Sequence, residues 1–198
     1  MVCGETVMKR CLLFFFLAAA VLPCGVERNA VKTSADKDAG RVDFNPVTVS
    51  IAALNALQAP TRDQLNAHPD TRFLAELKTY TVTGYLVGFK LEADEDFHIV
   101  VEDPDSPGTT MVVEMVSGNC VPLGVVELAT KLRASWETRF GKAGKRFKKL
   151  TRHTVKVQIT GVGFFDFLHG QTGVAKNGFE LHRVIDWKEL PNITAVFF

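Results

Sequence analysis

The stretch Tyr80–Val116, YTVTGYLVGFKLEADEDFHIVVEDPDSPGTTMVVEMV, decides the fold. Tyr80–Leu91 is rich in aromatic and β-branched residues, which suit a pleated, half-buried surface. Gly84 and Gly88 interrupt it, as glycines do where a strand bulges or coils. Phe97–Glu102 then alternates, with Phe97, Ile99 and Val101 on one face and Asp96, His98 and Val100 on the other. Asp103-Pro104-Asp105-Ser106-Pro107-Gly108 is a turn by composition. Thr109–Val116 alternates again, with Met111, Val113 and Met115 opposing Thr110, Val112 and Glu114. A long coiled strand followed by a hairpin is predicted.

Downstream, Val125, Leu128, Leu132, Trp136 and Phe140 recur every three to four residues, which predicts a helix over 125–140 ended by Gly141 or Gly144. Thr154–Phe167, with Gly161 and Gly163 inside it, and Phe179–Trp187 read as two more strands, and Asn177-Gly178 tightens the turn before the second. Three strands, a helix and two strands is the order of an OB-like five-stranded Greek-key barrel, here over residues 80–190. The fold class is all-β with one main helix, and a small α+β sheet is the alternative. Residues 191–198 form a C-terminal tail.

Upstream, Lys9-Arg10 precedes an apolar run from Cys11 to Leu22, the pattern of a secretory signal peptide over residues 1–24. The run is short for a membrane-spanning helix, which needs about 20 apolar residues. Polar residues 25–45 read as a disordered linker. Residues 46–79 read as an irregular arm with one short helix from Ser50 to Leu57, capped by Ser50. The mature chain, roughly 170 residues, suits one domain with a core of its own. A net charge of +1 gives no global bias toward nucleic acid or membrane. The location expected is periplasmic or extracellular.

Val21-Leu22-Pro23-Cys24 loosely resembles a bacterial lipobox, but proline stands where a small residue is usual, so Cys24 is expected in the discarded peptide or the segment after it. Membrane contact would follow only from a lipid on Cys24. Cys120 is then the lone cysteine of the body and is expected as a buried thiol without a disulfide partner.

Two blocks carry a resemblance. Asp94–Val101, DEDFHIVV, follows the pattern D-x-D-[FY]-H-[IL]-V-[IVL]. His169–Val184, HGQTGVAKNGFELHRV, follows H-G-Q-T-G-V-A-P-N-G-[IV]-E-L-H-P-V, departing at Lys176 and Arg183, where the pattern has proline, and at Phe179. The chain resembles, from about Tyr80 to Asp186, a group of uncharacterised secreted bacterial proteins with these motifs. The resemblance implies a shared fold and a shared polar cluster, and it implies no reaction.

The polar candidates are Asp94, Asp96, His98, Glu114, Asp166, His169, Gln171 and His182, with Glu180 beside them. In the barrel, His98 and Glu114 fall on adjacent strands, and the last connection supplies His169 and His182. The leading expectation is a binding or structural network. In it His98 is a surface cross-strand partner, Asp94-Glu95-Asp96 a solvated turn, and Asp166 with His169 the holders of the loop's shape. The alternative is a metal-dependent hydrolase, with His98, His169 and His182 as metal ligands and Glu114 or Asp166 as general base. A nuclease-like version would hold calcium on Asp94, Asp96 and Glu114, but no pair of arginines accompanies those carboxylates. No cofactor other than such a metal is indicated. The basic run Lys142–Lys156, in particular Lys145, Arg146, Lys148, Lys149 and Arg152, could meet an anionic ligand. In an envelope compartment a glycan, a peptide or another anionic partner is expected rather than nucleic acid.

Overall fold

The computed structural model describes residues 24–191. The expected signal peptide up to residue 23 and the tail from residue 192 lie outside the described residues. The strands are β1 (Asp43–Thr48), β2 (Lys78–Leu91), β3 (Phe97–Glu102), β4 (Thr110–Met115), β5 (Lys148–Lys149), β6 (Lys156–Phe165) and β7 (Phe179–Leu190). The α-helices are α1 (Asn29–Lys32), α2 (Ile51–Asn55), α3 (Arg62–Ala67) and α4 (Leu123–Phe140).

β2 closes the barrel because it is long enough to serve two neighbours. Its first half pairs antiparallel with β6, from Thr79↔Val162 to Tyr85↔Lys156, and its second half with β3, from Tyr85↔Glu102 to Leu91↔Phe97. The order is β2-β3-β4-β7-β6 and back to β2, with β4 and β7 parallel and α4 between β4 and β6 in sequence. This is the OB-like barrel that the sequence predicts. Gly88, Gly161 and Gly163 sit where the pairing shifts register, at Leu86/Gly88 in β2 and at Thr160/Gly161 and Gly161/Gly163 in β6, whereas Gly84 pairs regularly with Val157. At Gly88 a Cβ would lie 2.5 Å from the Lys148 carbonyl oxygen and 2.6 Å from the Phe147 ring, so only glycine lets β5 cross there.

The interior is filled by alternate residues of the strands, among them Ile99, Val101, Met111, Val113, Met115, Ile159 and Leu181, with Leu132, Trp136 and Phe140 from α4. Trp136 meets Phe89 edge-on at 5.6 Å and Phe140 at 4.6 Å between ring centroids. The helix is as predicted, except that its buried stripe runs through Ala129 while Leu128 stays exposed. It ends at Gly141, whose φ is +82°.

The reading of residues 25–45 as a disordered linker is corrected by the structure. The segment folds as a strap, with α1, a 3-10 turn at Ala39–Arg41, and β1 running parallel to β2. Its anchors are buried ion pairs. Arg28 bonds Glu76 at 2.5 and 2.8 Å and also donates to the carbonyls of Thr71 and Phe165. Arg72 pairs with Asp36 at 2.7 Å, both side chains fully buried. The only fully buried apolar side chain of α1 is Val31. Order here rests on polar partners distant in sequence, so composition alone reads as a linker. In the arm, Ser50 caps α2 as expected by accepting from the Ala53 N–H, whereas α3 and its Thr61/Gln64 capping box were not expected.

The cysteine reading is corrected as well. Cys24 and Cys120 form a disulfide with a Cα–Cα distance of 5.4 Å. Cys24 is therefore part of the folded body, and Cys120 is not a lone thiol. A lipid thioether on Cys24 would need the same sulfur, so the disulfide excludes it. Such a bond is compatible with an oxidising compartment. Among the described residues no helix is long and apolar enough to cross a membrane.

Candidate functional site

Strand register builds the site. His98 on β3 lies opposite Glu114 on β4, and Glu114 lies beside His182 on β7. Since side chains alternate along a strand, these residues point away from the barrel interior that Ile99, Val113 and Leu181 fill. Glu180, two residues before His182, shares their face. This outer face is largely shielded from water, because the strap carbonyl of Lys32 and the β6–β7 loop carbonyl of Thr172 lie against it. His98, Glu114, Glu180 and His182 are all buried, as are Asp96 and Asp166.

His182 is at the centre. Its Nε2 lies 2.8 Å from Glu114 Oε2 and 3.3 Å from Asp96 Oδ2, and its Nδ1 lies 3.2 Å from the Lys32 carbonyl oxygen in the strap. His98 holds the other side of Glu114, with Nδ1 at 3.1 Å from Oε1 and Nε2 at 2.8 Å from the Thr172 carbonyl oxygen. Asp96 Oδ1 accepts the Ser117 N–H at 2.8 Å. His98 is thus no surface residue, and Asp96 does not belong to a solvated turn. The β6–β7 loop at Thr172 closes over His98, and the chain at Ser117 after β4 closes over Asp96.

The electrostatics follow from burial and pairing. Burial would raise the Glu114 carboxyl, but the flanking imidazoles of His182 and His98 outweigh it and hold the group well below the usual carboxylate range. Burial would lower His182, and Asp96 and Glu114 instead carry it up to about 10. His98 is raised against its own burial by Glu114. Glu180 is pushed well upward by burial and by its neighbours Asp166 and Glu114. Asp94 is raised by burial and by Asp96. Lys32 is raised because Asp166, Glu114, Glu180 and Asp94 outweigh its burial.

The loop after β6 is held by Gln171, not by the expected Asp166–His169 pair. Gln171 Nε2 donates to Asp166 Oδ2 at 3.2 Å and to the Phe167 carbonyl at 2.8 Å, and its Oε1 accepts from the His169 N–H. His169 is exposed, its Nε2 3.9 Å from Asp166 Oδ2. The Asn177-Gly178 turn forms as predicted, with Gly178 at φ +70° and Asn177 donating to the carbonyls of Leu54 and Leu57.

Above this cluster opens a pocket of about 340 Å³. The strap forms one wall through Gly25–Glu27 and Lys32, the β2–β3 turn another through Glu92–Asp94, and the loop a third through Asp166, His169 and Gln171. His98 and Glu114 also line it.

The three histidines expected to share a metal do not converge. His98 is engaged on both ring nitrogens and His169 is at the rim, so that ligand set is corrected. The acidic and histidine side chains that do converge are Asp96, Glu114 and His182, with one ligand atom of each within 4.8 Å of the others. The basic run does not join the pocket. Lys148 donates to the carbonyl of Phe140 at the end of α4, and Arg152 pairs with Glu102 at 2.6 Å. Lys145, Arg146 and Lys149 are exposed. Glu27, Lys32 and Glu92 are the charged pocket residues that sequence reasoning missed. A single buried valine, Val31, in a polar segment gives little local sign of burial, and a contact with β7 across 150 positions leaves no local trace.

No family model, curated protein or solved structure matches this chain.

Proposed function

We propose that the chain is an exported binding module of the cell envelope whose pocket takes a compact, hydroxyl-bearing ligand with a protonated amine, of the size of an amino sugar. The observation that carries this reading is the acidity of the pocket wall. Glu27, Glu92, Asp94 and Asp166 line it around one lysine, with His169 and Gln171 available to hydroxyl groups. A volume of about 340 Å³ falls in the range of small-ligand sites. The buried charges beneath it are fixed by mutual hydrogen bonds before any ligand arrives, which keeps the ordering cost of binding low. An anionic ligand is disfavoured in this pocket, because the basic run lies elsewhere. Export is supported by the signal-like run before residue 23 and by the Cys24–Cys120 disulfide.

The test is calorimetric titration with glucosamine, N-acetylglucosamine and glucuronate. Glucosamine should bind, and acetylation of its amine should weaken binding by about tenfold or more, the effect of losing one hydrogen bond to a charged group. Asp166→Asn should weaken glucosamine binding to a similar degree. Equal binding of the acetylated sugar, or preference for glucuronate, would refute the reading.

A further inference from the structure

We infer that Asp96, Glu114 and His182 form a transition-metal site of the zinc class on the floor beneath the pocket. The inference does not depend on what the pocket binds. Asp96 and His182 are not among the pocket-lining residues, and Glu114 alone belongs to both.

Three features of the geometry support a metal. The first is spacing. Zinc holds nitrogen and oxygen ligands at about 2.0–2.2 Å in a tetrahedron, which places ligand atoms about 3.4 Å apart. His182 Nε2 is 3.3 Å from Asp96 Oδ2 and 2.8 Å from Glu114 Oε2, so small adjustments would seat an ion.

The second is the orientation of the imidazole. A carbonyl oxygen only accepts, so the contact of Nδ1 with the Lys32 carbonyl puts a proton on Nδ1. Metal-binding histidines are held in this way, with the far nitrogen donating to a carbonyl or carboxylate. The near nitrogen, Nε2, is fully buried and makes no well-aligned hydrogen bond although two carboxylates flank it.

The third is the support behind the carboxylates. His98 takes Glu114 Oε1 and the Ser117 N–H takes Asp96 Oδ1. Each acid is left with one oxygen turned toward His182. Both free oxygens converge on the imidazole Nε2, and a divalent ion bound there would take the place of a proton on that nitrogen. The nitrogen ligand selects zinc, cobalt or nickel over magnesium and calcium, which take oxygen ligands. The competing arrangement is an imidazolium shared by the two acids, with no ion.

The experiment uses the full mature chain, free of any affinity tag and stripped with chelator, titrated with zinc chloride and with magnesium chloride. One equivalent of zinc should bind, and excess magnesium should not displace it. His182→Gln should weaken zinc binding by at least about 100-fold, the upper end of what loss of a supporting residue costs. Because that variant can fail to fold, the zinc X-ray absorption spectrum of the unmodified protein provides a second measurement. It should show one imidazole, oxygen ligands otherwise and no sulfur. Absence of saturable zinc binding, a spectrum without imidazole, or undiminished affinity in a folded His182→Gln variant would overturn the site. The amine titration is run on the metal-free protein, so either reading can fail alone.

Discussion

At Gly173 a backbone and a side chain meet with no room to spare. Its φ is +77°, and a Cβ there would overlap the Val100 side chain on β3. Gly173→Ala should therefore combine a left-handed backbone cost with overpacking, about 2–4 kcal/mol in total, read as a lower denaturant midpoint with an unchanged slope. Glu76 is the other sensitive position. It accepts from Arg28 on both oxygens and from the N–H groups of Phe73 and Phe165, wholly buried. Glu76→Leu would strand a buried guanidinium and should cost about 3–5 kcal/mol by the same measurement. Glu102 gives a pH effect with a definite sign. Hydrogen bonding to Arg152, with help from the Gly108 N–H, lowers its carboxyl from 4.5 to about 2. A depressed acid contributes stability above its ordinary value and loses it as pH falls, here between about 4.5 and about 2. Thermal melts across that window should fall less steeply for Glu102→Gln than for the unmodified chain. Arg152 is itself largely exposed, so solvent screening will moderate the difference.

Elements differ in how far local sequence announces them. β3 and β4 obey strict alternation, so their bounds and faces can be read directly, and with them the adjacency of His98 and Glu114. The helix α4 is marked by its period and by Gly141. Its Trp136 is fully buried against Phe89, Phe140 and Trp187. Trp136→Ala should cost about 3–5 kcal/mol, as truncation of a core aromatic does, measured by chemical denaturation. The helix α3 carries a local mark too, since Thr61-x-x-Gln64 is a capping-box signature. The strap was not legible. Arg28, Lys32 and Asp36 are stabilised by Glu76, Asp166 and Arg72, and a charged residue carries no local sign of a partner so far away. The site shares this division. Its strand-borne residues were visible as a pattern, while the assignment of ligand atoms among His98, His169 and His182 required the third dimension.

The whole molecule is a barrel with a belt fastened over one face. The disulfide joins residues 96 positions apart, and closing a loop of that length contributes about 4–5 kcal/mol in the chain-entropy account. Reduction, or the double change Cys24→Ser with Cys120→Ser, should lower the melting temperature by about 10 °C for a domain of this size, read by calorimetry with and without reductant. The buried pairs Arg28–Glu76 and Asp36–Arg72 should keep the belt in place in the reduced protein, so its unfolding should remain a single transition. The belt also bears on the order of events during synthesis. Arg28 bonds the Phe165 carbonyl 137 positions later, and the Lys32 carbonyl meets His182 150 positions later. The strap can meet Arg72, Glu76 and β2 soon after it is made, but its contacts with β6 and β7 wait for those strands. Contacts of such separation make folding slow, and a nascent chain cannot assemble the site. The strap is half fastened before the chain is finished, and the site comes into being only when β7 brings His182 to the Lys32 carbonyl.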